Sequence, residues 1–236
     1  LMKYTKLPTT DIKVSKICLG TMTWGNQNSQ EDAFEQMDYA LEQGVNFFDT
    51  AELYPVPATP ATYADTERII GNWFQKTGNR EKVVLASKIA GGGDYTKHIR
   101  TGGFTKQNIT EAIQASLKRL QTEYLDLYQL HWPSRGVNCF GLRDYPFKTA
   151  TKEAENHLEI LETLNEFVKA GTIRAIGLSN ETPWGTMQYL QTAKANHLAR
   201  PVTIQNSYSM IHRAYEVGMS EVSMREDIGL LAYSPL

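Results

Sequence analysis

Short, mainly apolar runs alternate along this chain with longer segments whose apolar residues recur at helical spacing. The runs are Ile17–Gly20, Val45–Phe48, Val83–Ser87, Leu125–Leu130, Ile173–Leu178, Val202–Ile204 and Leu230–Ala232. A strand without in-and-out alternation is buried on both faces, which calls for a sheet covered by helices. The segment Ser29–Gln43 places Ala33, Phe34, Met37, Ala40 and Leu41 on one helical face and stops at Gly44. Later helical faces carry Ile69, Ile70, Trp73 and Phe74, then Ile109, Ala112, Ile113, Leu117 and Leu120 after Thr105. Leu158, Leu161, Leu164 and Val168 mark another helix, closed by Gly171, and Thr182-Pro183 reads as an N-cap followed by a first-turn proline. Tyr215–Arg225 reads as a helix, and Tyr4–Val14 as a short polar hairpin ahead of the first run. The runs never join one another by tight turns, so they pair in parallel.

Two architectures satisfy this pattern, an open doubly wound sheet and a (β/α) barrel. The first wants a glycine-rich phosphate turn after the first strand, and Gly20-Thr21-Met22-Thr23-Trp24-Gly25 has the wrong spacing for it. The expectation is therefore an α/β fold, a (β/α)8 TIM barrel. Such a barrel needs about eight units and about 250 residues. The 236 residues give seven strands before Pro235-Leu236, so residues 1–236 are expected to form one barrel domain lacking its final strand–helix unit. Composition narrows the function classes. A 41% apolar, 21% charged chain can bury a core, and no apolar run reaches the roughly 18 residues a membrane helix needs. A formal charge of −2 without Lys/Arg blocks argues against nucleic-acid or anionic-membrane partners. Cys18 and Cys139 stand far apart with no CxxC, which argues against a disulfide framework or a metal knuckle and makes the cytoplasm the default compartment. No signal segment opens the chain.

In a barrel the chemistry stands where strands end. Those ends carry Asp49, Lys88, His131, Ser179-Asn180, Gln205-Asn206 and Tyr233-Ser234, and Tyr54 follows Asp49 by five residues. Neither cysteine lies at a strand end to serve as nucleophile, and Asp49 lacks the second carboxylate of a glycosidase. A Schiff base on Lys88 is one option, giving a lyase or aldolase, but it leaves Tyr54 and Asn180 without work. A tyrosine beside a lysine suits a general acid: the ammonium would pull the phenol below its usual value of about 10, and Asp49 would hold the lysine.

The stretches Gly44–Tyr54, Ala86-Ser87-Lys88, Tyr124–Pro133, Ile176–Asn180 and Ala232–Leu236 resemble, in order, the signature of the aldo-keto reductase family. Tyr54–Pro57 and Asn138–Gly141 are most similar to its bacterial Tas-type branch. The resemblance implies NADPH-dependent reduction of an aldehyde or ketone, a small-molecule carbonyl substrate, with Tyr54 as proton donor. It implies that Lys88 and Asp49 tune Tyr54 and that His131 orients the carbonyl. Ser179, Asn180 and Gln205 would hold the nicotinamide carboxamide, Tyr233 would stack on its ring, Gly20 and Thr21 would face the ribose, and Ser234 and Leu236 would begin the pyrophosphate loop. In that family the eighth strand and the segment gripping the 2′-phosphate follow this last motif, so the full-length form is the expected enzyme and the chain as given is expected to be weak or inactive. The alternative within the resemblance is a non-catalytic, cofactor-binding regulatory subunit like those of potassium channels, which lack the histidine found here at His131.

Other features read more plainly. His98, His157, His197 and His212 read as surface residues, Gly91-Gly92-Gly93 as a flexible loop, and Cys18 as a buried strand residue. Trp24, Trp132, Tyr145 and Phe147 fit either an aromatic substrate wall or packing around the long segment Pro133–Ala154.

Overall fold

The computed structural model describes residues 1–140 and 142–235. A two-stranded antiparallel hairpin, β1 (Tyr4–Lys6) and β2 (Lys13–Ser15), precedes a parallel sheet. That sheet runs in sequence order through β3 (Cys18–Gly20), β4 (Phe47–Asp49), β5 (Val84–Ile89), β6 (Leu125–Leu130), β7 (Ile173–Ser179), β8 (Pro201–Ser207) and β9 (Gly229–Tyr233). Helices α1 (Gln30–Glu42), α2 (Asp65–Thr77), α3 (Lys106–Leu120), α4 (His157–Lys169), α5 (Pro183–Ala195) and α6 (Met219–Glu226) fill the crossovers. The order never reverses, so no doubly wound switch point exists among these strands.

The sheet is curled. The Gln205 amide on β8 reaches the Asp49 carboxylate on β4 at 2.9 Å, although the two strands are four positions apart. In a flat sheet that separation would be roughly 19 Å. The described residues thus contribute seven strands of a (β/α)8 barrel, with β3 and β9 at the sheet edges.

Local signals account for the helices. Ser29 and Asp32 form a reciprocal capping box on α1, Thr105 caps α3, and Thr182 caps α5 with Pro183 in its first turn. Between helices and sheet lies the larger core, including Phe48, Ile70, Trp73, Leu85, Ile109 and Tyr128. A second cluster fills the interior: Phe47, Ala86, Leu127, Ala175 and Val202, joined by Leu7, Ile12 and Val14. The hairpin read as polar therefore also closes one end of the barrel with three buried apolar side chains.

Two readings need correction. The helix expected over Tyr215–Arg225 divides into a single 3-10 turn (Ala214–Val217) and the shorter α6, with Gly218 outside helical geometry between them. The strands also run past the apolar residues: β8 continues through Gln205, Asn206 and Ser207, which pair with Leu231, Ala232 and Tyr233. Backbone pairing does not require apolar side chains, and the polar ends remain in register. Among the described residues no helix is long and apolar enough to cross a membrane.

Candidate active site

The alternation of β5 sends Ser87 outward, where its hydroxyl donates to buried Glu67 at 2.6 Å, and Lys88 inward. Lys88 is fully buried. Its ammonium donates to Asp49 Oδ2 at 2.5 Å, to the Thr50 carbonyl at 2.9 Å and to the Tyr54 hydroxyl at 3.3 Å, which occupies all three of its hydrogens. Asp49 Oδ1 accepts from the side-chain amides of Gln129 and Gln205, each at 2.9 Å. The Thr21 hydroxyl donates to the Asp49 carbonyl at 2.9 Å and ties the end of β3 to β4.

Tyr54 is carried by the loop after β4, and Glu52 fixes that loop. The Glu52 amide bonds the Lys88 carbonyl at 3.2 Å, its Oε1 accepts from the Ala90 amide at 2.6 Å, and both carboxylate oxygens pair with Arg100. His131 follows β6 directly, with its amide on the Ile89 carbonyl at 3.1 Å. Its imidazole meets the Tyr54 ring edge-on, 5.6 Å between centroids, and its buried Nδ1 has no partner among the described residues. The four side chains that the family resemblance joins as Asp49, Tyr54, Lys88 and His131 are therefore brought together.

Their electrostatics differ in one respect from the sequence expectation. Burial raises the Tyr54 phenol; the Lys88 ammonium opposes this and Asp49 reinforces it, so the net direction is above the ordinary phenol value. Lys88 does not lower it on balance, because burial outweighs the ammonium and Asp49 adds to the rise. Burial pushes Lys88 down, but Asp49 and Tyr54 lift it above its usual value, so it stays protonated. Burial and the nearby Lys88 ammonium hold His131 well below the usual imidazole value, leaving it neutral.

The expected cofactor residues also converge. The Ser179 hydroxyl and the Asn180 amide both donate to the Gln205 carbonyl at 2.9 Å. Asn180 Nδ2 donates to the His131 carbonyl at 2.9 Å and to Ser179 Oγ at 3.2 Å, while its Oδ1 accepts from the Tyr233 hydroxyl at 2.5 Å. Asn180 sits at φ 52°, the left-handed region that asparagine tolerates well. Burial pushes the Tyr233 phenol up to about 12. Gly20 is exposed, with no atom within 4 Å of where a Cβ would stand. Ser234 is exposed, and Leu236 and Gly141 lie outside the described residues. Gln129 is the addition that the sequence did not single out. It lies inside the run Leu127-Tyr128-Gln129-Leu130, where a lone amide in an apolar strand was the available signal.

The aromatic residues divide. Trp24 is fully buried and donates to Gln36, so it packs beneath α1 and does not line the site. Trp132 stands at the rim, 5.0 Å from the His131 ring and 5.6 Å from Phe140, with its indole donating to the Gly92 carbonyl at 3.1 Å. A Cβ on Gly91 would lie 2.1 Å from that indole nitrogen, so Gly91 is fixed by packing, whereas Gly93 is exposed with open space around it. Tyr145 and Phe147 pair with each other at 5.0 Å and are exposed. Of the four histidines read as surface residues, only His197 is exposed; His98, His157 and His212 are half-buried, and His157 packs edge-on to Tyr189 at 4.5 Å.

This curled parallel barrel gathers a buried lysine–aspartate pair, a tyrosine and a histidine at its strand ends, the face where barrel enzymes carry their chemistry. Residues 16–236 match the Aldo/keto reductase family. Over its whole length the chain is 50% identical to Protein tas of Escherichia coli and covers 68% of that protein. It is 35% identical to the uncharacterized oxidoreductase YrpG of Bacillus subtilis, with 67% covered. Norsolorinic acid reductase B of Dothistroma septosporum is 30% identical, with 57% covered. The chain belongs to the aldo/keto reductase family, whose members are oxidoreductases that generally use NAD(P)H.

Proposed function

We propose that this chain is the catalytic barrel of an NADPH-dependent reductase that converts an aldehyde or ketone to the alcohol, with Tyr54 as proton donor. The observation that carries the reading is the sharing of one buried ammonium, Lys88, between the Asp49 carboxylate and the Tyr54 hydroxyl. The residues fit a nicotinamide. Asn180 Oδ1 keeps a second lone pair beyond the Tyr233 hydroxyl, able to accept from a carboxamide, and the open backbone at Gly20 admits a flat group. Ser179, Asn180, Gln205 and Tyr233 would hold it, and when bound it supplies the hydride.

The chain's own residues then handle the oxygen. A substrate carbonyl oxygen beside Tyr54 and His131 accepts a hydrogen bond from the protonated phenol. As negative charge grows on that oxygen, the Tyr54 proton moves to it. The phenolate left behind faces the Lys88 ammonium at 3.3 Å, which stabilises it in a site shielded from water. Neutral His131 orients the carbonyl and does not compete as the acid. Asp49 keeps Lys88 charged and aimed. Such general acid catalysis is worth about 10²–10⁴-fold. Free Cys18 and Cys139 suit work in the reducing cytoplasm. The test is isotopic. With NADPH deuterated at the transferable position, the alcohol formed from an aldehyde carries deuterium on the former carbonyl carbon; product without label rejects hydride transfer.

A further inference from the structure

Gln129 is fully buried in β6 and points into the barrel interior. Its Nε2 donates to Asp49 Oδ1 at 2.9 Å, and its Oε1 accepts from Gln205 Nε2 at 3.2 Å. Gln205 Nε2 also donates to Asp49 Oδ1 at 2.9 Å, so the three side chains close a triangle across β4, β6 and β8. The orientation of both amides follows from chemistry: turning either one over would set a carbonyl oxygen against the carboxylate. Space for the triangle is kept by Gly177 on β7, where a Cβ would stand 3.2 Å from Gln129 Cγ and 2.4 Å from the Thr203 hydroxyl oxygen.

We propose that Gln129 is a positioning residue for the reduction, holding Asp49 in the rotamer that aims Lys88 at Tyr54. The inference rests on the reading of Tyr54 as proton donor. Asp49 Oδ1 has two donors from amides and Oδ2 one from Lys88. Removing the Gln129 amide leaves Oδ1 with a single donor and leaves one Gln205 hydrogen without an acceptor. Asp49 then turns more freely, and the 3.3 Å contact between Lys88 and Tyr54 loses its fixed geometry. Gln129 touches no reacting atom in this scheme and acts through Asp49.

The test is Gln129→Met, which keeps length and removes both polar ends, made in the complete protein and assayed per cofactor-titrated site. A hydrogen bond to a charged group sets the scale, so kcat falls about ten- to a hundred-fold while the KM for the carbonyl substrate stays within about two-fold. In an Asp49→Asn background the same change adds less than about two-fold, because the carboxylate it serves is gone. If Gln129→Met does not fold, Gln129→Asn, which withdraws the amide by one methylene, must show the same fall in kcat and the same lack of effect beside Asp49→Asn. A wild-type kcat in the substituted protein, or losses that multiply in the double variant, overturns the inference. A fall in thermal stability with unchanged kcat also overturns it, because that is the signature of packing alone. Should Tyr54→Phe remain active, the underlying reading fails instead; a dead Tyr54→Phe beside a normal Gln129→Met rejects only this inference.

Discussion

Replacing Lys88 by Met probes the buried charge on which the site is built. The side chain fits the same volume, but the ammonium disappears from contacts to Asp49, the Thr50 carbonyl and Tyr54. Removing one partner of a buried pair costs about 3–5 kcal/mol, because the other charge stays behind uncompensated. Asp49 retains donors from Gln129 and Gln205, which offset part of that cost and place the expected loss near the lower end, about 3 kcal/mol. With a urea slope of about 2–3 kcal/mol per molar, the unfolding midpoint drops by about 1 M. Adding Asp49→Asn removes the orphaned charge and recovers part of the loss, so the double variant is more stable than Lys88→Met alone. Both variants lose reduction. A midpoint within a few tenths of a molar of wild type, or a double variant no more stable than the single one, refutes the reasoning.

Two further expectations follow from the geometry. The buried Tyr54 phenol is raised, so its acid form persists above the ordinary phenol value of about 10. The phenolate absorbance difference between wild type and Tyr54→Phe, taken without cofactor, should therefore develop only above about pH 10, and development well below that pH contradicts the assignment. Gly91→Ala places a methyl where the Trp132 indole sits, 2.1 Å from its nitrogen. It should lower stability by about 1–3 kcal/mol and alter the indole fluorescence, and a neutral effect on both would mean that Trp132 is not fixed there.

Much of the fold was legible because strands buried on both faces announce themselves as mainly apolar runs without in-and-out alternation. The ends were harder to read, since Gln205, Asn206 and Ser207 continue the β8 ladder without any apolar signal. Helix α6 was read too long because Tyr215, Met219 and Val222 keep the helical spacing across Gly218, where the backbone does not. Asp49, Tyr54, Lys88 and His131 were legible because each follows or ends an apolar run in a recognisable motif. Gln129 was not, because its partners Asp49 and Gln205 lie 80 and 76 residues away and a single amide has no period. The direction of the Tyr54 shift was misread for a related reason. Spacing places Lys88 near the phenol, but only the folded site shows burial and Asp49 outweighing it.

The central claim is that Tyr54 gives the proton while the rest of the site holds the cofactor. Single-turnover reduction of an aldehyde by the complete protein carrying Tyr54→Phe, with NADPH affinity measured on the same sample, tests it most directly. The account predicts a rate lower by about 10²–10⁴-fold with cofactor affinity essentially retained. Turnover within a few-fold of wild type contradicts it and moves the proton donor elsewhere.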